Sequence, residues 1–515
     1  MIGYTRVFKR DHAFFSDVYQ YFIRGGYWCI FVENMLTIVI TALTLAFVLF
    51  ACFFMNWKLL GECQSEITCN SLSYYIVSPS EFHSGVTNVF MYMFMTIFAI
   101  YWLWLTITMI NELFKFMKYR GYFKQIGIRT DELKVLSWND VVRQMIQLDS
   151  SLTADIIVGS IMNKDNYLIA IVGANLFKIN PAFYTRGFLW LINVGILNRI
   201  FDGTKRDTLY INAEKIKQSL RASAIFLLLA SPFILILIVI NYVIVLTTEI
   251  YTKKSYIGPK EWSLYAKLVF REYNELSHIF NERISKSYKY AVQYEQKFNA
   301  HMSNILMEKL IFVCGTYLTL LVVMTIYDET LLMYIKLFNR NLLWYVAILT
   351  SIISIARVIM VYPSSVDESS EEIMVKMAKY THHYPPKWRN KCHKVDVLYD
   401  FRSLYKYKLF SVGLEIASVI IVPLYMLCKL GDDIDVVVDF IQKNTVYNDD
   451  TGHLCKLGIT NINEIEQSEL ENDYDSCIGD EKIERSIKNF KSYYKIEEHE
   501  SLYDSDIELK ITTEE

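Results

Sequence analysis

Six stretches of this chain are too apolar and too long to be ordinary core segments. A bilayer core about 30 Å thick is crossed by roughly 20 apolar residues of helix. Residues 35–54, 89–110 and 310–327 fit that length and contain no charge, and 342–362 contains one, Arg357. Two further runs are equally greasy but broken by proline. Residues 222–246 carry Ser231 and Pro232, and 410–430 carry Glu415 and Pro423. A 30-residue polar and charged head without a small-residue cleavage site precedes the first run, so that run is expected to act as the targeting signal and stay in the membrane.

Charge decides how many runs cross, because Lys and Arg concentrate on the cytosolic side. The head holds Arg6, Lys9, Arg10 and Arg24, whereas the 56–88 loop holds Lys58 alone. The N-terminus is therefore expected in the cytosol and this loop in the lumen. If all six runs crossed, the basic segments 247–307 and 363–408 would both be lumenal. If the two proline-containing runs enter and return, both become cytosolic and the poorly charged 328–341 link becomes lumenal. The second arrangement satisfies the rule. Proline removes a backbone donor and crowds the preceding turn, which fits a reversal; a kinked spanning helix is the alternative reading. The predicted fold class is an all-α polytopic membrane protein with four transmembrane helices and two re-entrant hairpins formed at Ser231, Pro232 and Pro423. Both termini are expected in the cytosol.

The predicted divisions follow. They are a cytosolic N-terminal segment (1–34), two spans (35–110) and a cytosolic helical segment (111–221). Next come the first hairpin (222–246), charged cytosolic helices (247–307), and spans three and four (308–362). A cytosolic loop (363–409), the second hairpin (410–430), an amphipathic cytosolic region (431–460) and an acidic tail read as disordered (461–515) complete the chain. Within the head, Phe14, Phe15, Val18, Tyr19, Phe22 and Ile23 recur at helical spacing, which predicts a helix lying on the membrane face until Gly25 and Gly26 break it. Residues 167–177 and 187–200 are apolar but too short to span, and are expected in a core.

Composition removes whole classes of function. A net charge of -3 offers no basic excess for nucleic acid. Nine cysteines in 515 residues are no disulfide scaffold. Cys63 and Cys69 share the lumenal loop, where either a structural disulfide or free thiols are compatible with the sequence. No P-loop, zincin, nucleophile-elbow or kinase motif occurs. His382, His383, Cys392 and His393 cluster, but their spacing matches no common zinc template, and Tyr384, Pro385, Pro386 and Trp388 suggest a packed turn. No metal and no cofactor are expected.

Ionisable groups at membrane depth are costly and mark paths or paired sites. Arg357 sits near the cytosolic end of the fourth run, where snorkelling is the bland reading. Glu415 begins the second hairpin, where a cap or salt bridge is the bland reading. Glu249, Lys253 and Lys254 follow the first hairpin. Arg271, Asn274, Glu275, His278 and Arg283 recur at mostly three-to-four spacing, so they are expected on one helix side, lining a hydrated cavity or forming a solvated face.

The residues Phe14–Tyr19, Tyr184-Thr185-Arg186-Gly187 and Trp262-Ser263-Leu264-Tyr265 resemble the autophagy-related protein 9 family. So do Arg271–Leu276, Thr325–Glu329, His383-Tyr384-Pro385 with Trp388, and Tyr405–Lys408 followed by Glu415 and Pro423. The likeness runs in order from about Phe14 to Ile459. It implies four transmembrane and two re-entrant helices per protomer in a domain-swapped homotrimer that scrambles phospholipids without ATP. It also implies residence on preautophagosomal membranes, small cytoplasmic vesicles, Golgi and endoplasmic reticulum, with a lipid-transfer protein and autophagy-initiation scaffold proteins as partners. Relative to many members the long N-terminal extension is expected to be absent and the tail short, so the resemblance does not carry over the adaptor and kinase-scaffold contacts borne by those tails.

A lipid flips slowly because its head must leave water for hydrocarbon. A wet polar cavity lowers that cost with no covalent step, so no enzyme chemistry is expected. Lys253, Lys254 and Glu249 are assigned to the lateral mouth, and Arg271, Asn274, Glu275, His278, Arg357 and Glu415 to the path or cavity lining. The alternative function is a non-transporting scaffold that shapes the membrane and recruits partners. A selective ion channel is disfavoured by the lack of a filter signature.

Overall fold

The computed structural model describes residues 12–50, 54–61, 72–76, 86–149, 151–177, 179–201, 212–252, 260–298, 301–328, 331–338, 340–360, 368–448, 452–458 and 480–494. The longer helices are α1 (His12–Ile23), α2 (Tyr27–Leu49), α3 (Val86–Gln125), α4 (Trp138–Leu148), α5 (Ala154–Gly173) and α6 (Arg186–Ile192). They continue as α7 (Ala213–Thr252), α8 (Leu264–Phe270), α9 (Ser277–Lys297), α10 (His301–Tyr327) and α11 (Leu342–Ile359). The series closes with α12 (Ser370–Thr381), α13 (Val395–Leu404), α14 (Lys408–Lys443) and α15 (Asp480–Tyr494). Cys63, Cys69, Lys253 and Lys254 lie outside the described residues.

Hydrophobic length sets one class of element. Tyr27–Phe47, Tyr92–Gln125, Ala213–Val239, Asn304–Tyr327 and Lys408–Cys428 are long and apolar enough to cross a membrane. Leu43, Phe47, Trp104, Leu229, Phe312 and Ile326 project outward from these helices, as side chains meant for lipid do. α2 pairs with α3, with Trp102 Nε1 donating to the Ile38 carbonyl at 3.2 Å. α10 pairs with α11 through Leu321 and Leu342.

The prolines correct one expectation. Neither Ser231 and Pro232 nor Pro423 forms a hairpin turn: α7 and α14 run through them as helices of 40 and 36 residues. Proline inside a membrane helix is tolerated where neighbours support the freed backbone. Here α7 and α14 pack on each other, with Leu220, Ala224 and Leu227 joining Val422, Met426 and Val437 in one buried cluster. Two polar contacts join α14 to its neighbours. Glu415 bonds the α6 backbone, and Asp435 pairs with Lys217 at 3.0 Å. The amphipathic segment after the second proline is thus the continuation of α14.

Aromatic packing builds the polar layer. α1 was expected against lipid, but Phe14, Phe15, Val18, Tyr19 and Tyr21 are buried in protein. The reason is that α3 extends beyond its apolar run, so Phe116, Tyr119, Tyr122 and Phe123 meet α1. The Phe14–Tyr122 ring centroids are 5.1 Å apart, and those of Tyr21–Phe123 are 4.8 Å apart. Gly25 and Gly26, both at positive φ (74° and 87°), let the chain turn from α1 into α2. The 167–177 and 187–200 stretches form a core, as expected. A third core gathers Trp262, Phe270, Tyr294, Trp388 and Phe401. There β1 (Lys260–Trp262) pairs antiparallel with β2 (Tyr405–Tyr407), Trp262 opposite Tyr405. The hairpin β3–β4 (Thr445–Asn448, Gly452–Cys455) is clamped by Asn163 of α5, whose amide donates to the His453 carbonyl and accepts from the Cys455 amide. The segment read as a disordered tail contains α15, which docks on this layer.

Candidate functional site

Four of the expected site residues meet at one turn, but not along one helix. α8 is capped at its start by Ser263, whose Oγ accepts from the Ala266 amide at 3.2 Å. It ends at Arg271, where the backbone becomes extended, and α9 begins at Ser277. Arg271, Asn274 and Glu275 therefore occupy the turn and His278 the first turn of α9, which replaces the expected helix face. The spacing misled because two short elements and a turn mimic the repeat of one long helix.

Asn274 takes the left-handed conformation (φ 55°), tolerated by Asn because its side chain bonds locally. Its backbone amide donates to Asn166 Oδ1 at 3.0 Å, and Asn166 Nδ2 donates back to Asn274 Oδ1 at 2.8 Å. Asn274 Nδ2 donates to the Gly458 carbonyl. A Cβ on Gly458 would lie 2.6 Å from Asn166 Nδ2 and 2.8 Å from Asn274 Oδ1, so glycine is needed for this approach. Glu275 Oε2 closes the turn by accepting from the Glu272 amide at 3.0 Å. Arg283 grips both Glu275 oxygens at 2.7 Å and also donates to the Phe270 carbonyl at 2.8 Å. Arg271 pairs with Asp165 at 3.1 Å and donates to the Glu275 carbonyl and Ser277 Oγ. His278 Nδ1 meets the Tyr19 hydroxyl at 2.9 Å, tying α1 to α9. Burial pushes the His278 imidazole below the usual histidine range and lifts the Tyr19 phenol to about 12.

Beside them stands a group the sequence did not single out. Glu272 is 3% exposed. Its Oε1 meets His382 Nδ1 at 2.7 Å and Arg485 Nε at 2.9 Å, and its Oε2 accepts from Ser486 at 2.6 Å. Burial alone would raise its pKa, but His382, Arg485 and Ser486 more than offset that and hold it at about 2. These partners lie 110 to 214 residues away in sequence, so no local pattern announces them. His382, in the left-handed conformation (φ 53°), ends α12. His383 packs between Phe270 and Trp388, and burial, with Lys482 and Lys387 nearby, lowers it to about 4. Tyr384, Trp388 and Cys392 form the packed turn expected from sequence.

The other candidates lie on α7, α14 and α11, whose apolar stretch Leu342–Arg357 is shorter than the five long enough to cross. Glu415 accepts from the Arg186 amide at 3.1 Å, which caps α6 where Thr185 supplies no side-chain bond. Arg357 is exposed near the end of α11, and no ion pair to it occurs among the described residues. On the same helix Thr350, Ser351 and Ser354 are exposed too. Their hydroxyls bond back to Val346, Ala347 and Thr350 carbonyls. Thr350, Ser354 and Arg357 recur at four- and three-residue spacing and so share a face. That face was legible in the sequence but overlooked beside the arginine. Glu249 lies in the last turns of α7. A further polar cluster, also missed, roots α2 and α3: Arg24 binds Glu112 at 2.7 Å and Asn34 at 2.8 Å, and Asn34 donates to Glu112.

A family model described as autophagy protein ATG9 matches residues 10–461. The chain belongs to the ATG9 family. It is 28% identical to autophagy-related protein 9 of Saccharomyces cerevisiae (strain ATCC 204508 / S288c) over 491 residues, covering 88% of this chain and 48% of the relative. It is 25% identical to the Dictyostelium discoideum protein of the same name, covering 93% of this chain and 72% of the relative. The chain thus spans about half the length of the yeast relative. The cryo-EM structure of Schizosaccharomyces pombe Atg9 superposes with a TM-score of 0.63 at 22% identity, covering 87% of this chain and 98% of that chain. That likeness places the helical architecture in the same fold. The ATG9 match ends before α15, which extends beyond the matched segment.

Proposed function

We propose that this chain is an ATP-independent phospholipid scramblase of autophagy membranes, re-equilibrating leaflets as they expand. The observation that carries the reading is the exposed Thr350–Ser354–Arg357 face on the largely apolar helix α11. Hydroxyls can hide their polarity by bonding back to the helix. A guanidinium cannot, and it grips phosphate at two points. A lipid head sliding past such a face keeps hydrogen bonds and water while its chains stay in hydrocarbon.

The topology we propose keeps four crossings and two helices that dip and return. What supports it is charge: with both proline-containing helices returning, the basic segments 247–307 and 363–408 stay on one side. The same reading assigns Glu249, Lys253 and Lys254 to the lateral mouth. Arg271, Asn274, Glu275, His278 and Glu415 hold the walls in place. The same reading makes the protein a homotrimer with cytosolic termini on vesicles, Golgi and endoplasmic reticulum, working with a lipid-transfer protein.

Reconstitution in liposomes carrying a fluorescent-headgroup phospholipid tests it. Dithionite should quench nearly all fluorescence in wild type and do so more slowly in Arg357→Leu. Quenching that stops at the outer-leaflet share would instead indicate a membrane-shaping scaffold.

A further inference from the structure

α15 packs into a surface made for it. Phe490 and Tyr494 are buried in the cluster of Tyr19 and Trp138. One turn before Phe490, Ser486 is 4% exposed. Its hydroxyl donates to Glu272 at 2.6 Å and accepts from the Tyr273 amide at 3.2 Å. Arg485 pairs with the same carboxylate, and Lys482 donates to the Val269 carbonyl at 3.0 Å. At the far end Asn139 donates to the Tyr493 carbonyl at 3.0 Å.

We propose that this surface is a helix-binding groove and that α15 is its removable internal ligand. Its specificity is for an amphipathic helix with a lysine, then an arginine–serine pair, then aromatics one and two turns further on. Three observations support removability. The centre of the contact is polar, built on one carboxylate, which resembles exchangeable interfaces more than a sealed core. When α15 leaves, Glu272 keeps His382 at 2.7 Å, so the vacated acid is not stranded. The turn beneath is locked separately by Glu275–Arg283 and Asn166–Asn274, so it survives without α15. The inference is independent of lipid transport.

The test uses the full chain in phosphatidylcholine nanodiscs. In Ser486→Glu a second carboxylate faces Glu272, and amide exchange across 480–494 should rise at least tenfold while α9 keeps its protection. A fluorescent synthetic peptide with the sequence of 480–494 should then bind this variant saturably and leave wild type, whose groove is filled, unlabelled. Phe490→Ala vacates the groove by the apolar route and should recruit the same peptide, which covers a failure of Ser486→Glu to fold. A peptide carrying Arg485→Glu should bind neither. The proposal is overturned if α15 stays protected in both variants, if freed α15 is not replaced by peptide, or if the altered peptide binds as well as the native one.

Discussion

Arg283 and Arg357 carry the same charge in opposite company. Arg283, half-buried on α9, reaches the turn below α8, where Glu275 and two backbone carbonyls occupy its donors. Arg357 ends an exposed hydroxyl face on a helix whose other outward residues, such as Ile355, are apolar. The first arginine holds the polar layer together. The second has no ion pair among the described residues. Sequence spacing makes both look alike, and the partner inventory separates them.

The comparison is broken most directly at the Glu275–Arg283 pair. Glu275→Ala leaves Arg283 charged and held by backbone carbonyls alone, which should cost about 3 kcal/mol. Thermal unfolding in detergent should show a large drop, and lipid flipping should fall in proportion to folded protein. If flipping is lost while the unfolding temperature is unchanged, Glu275 belongs with Arg357 after all. Next in size is a pH effect. His383 titrates near 4 when folded against an ordinary 6.5, so the unfolded chain binds the proton first. Its contribution is complete above about 6.5 and is lost as pH falls toward 4, on the order of 2–3 kcal/mol. His383→Phe should flatten the stability profile across that window. Arg357→Leu should slow flipping roughly tenfold, about 1.4 kcal/mol in the barrier, without moving the unfolding temperature. A parallel loss of stability would make Arg357 a second structural arginine.

Much of this architecture was written in the chain. Hydrophobic length located the long apolar helices, but Leu342–Arg357, expected to cross, falls short of a span among the described residues, while the two proline-containing runs expected to turn back are long enough to cross. Gly25 and Gly26 marked the turn between α1 and α2 correctly. Proline was misjudged because its local cost was read without the α7–α14 packing that outweighs it. α1 was misjudged because an apolar face fits lipid and protein equally well, and its true partner begins at Phe116, far along the chain. The candidate site was half visible. Arg271, Asn274 and Glu275 share a segment, but Glu272 acquires its meaning from His382, Arg485 and Ser486, which folding alone brings near. α15 stayed hidden in an acidic stretch because its anchors, Phe490 and Tyr494, are few and widely spaced.

The smallest expected effect concerns Glu415, which lies between the two regions. It sits on α14 beside the α6 backbone, with its carboxylate at the start of a helix that lacks a cap of its own. A hydrogen-bond acceptor there is favoured by the free amides of the helix start. Glu415→Ala should therefore cost about 0.5–2 kcal/mol of stability, and Glu415→Gln less, because the amide oxygen still accepts. If Gln restores both stability and flipping, Glu415 is a cap, and its charge is not part of the lipid route. If Gln restores stability but flipping stays slow, the negative charge itself acts on lipid, and Glu415 moves to the side of Arg357.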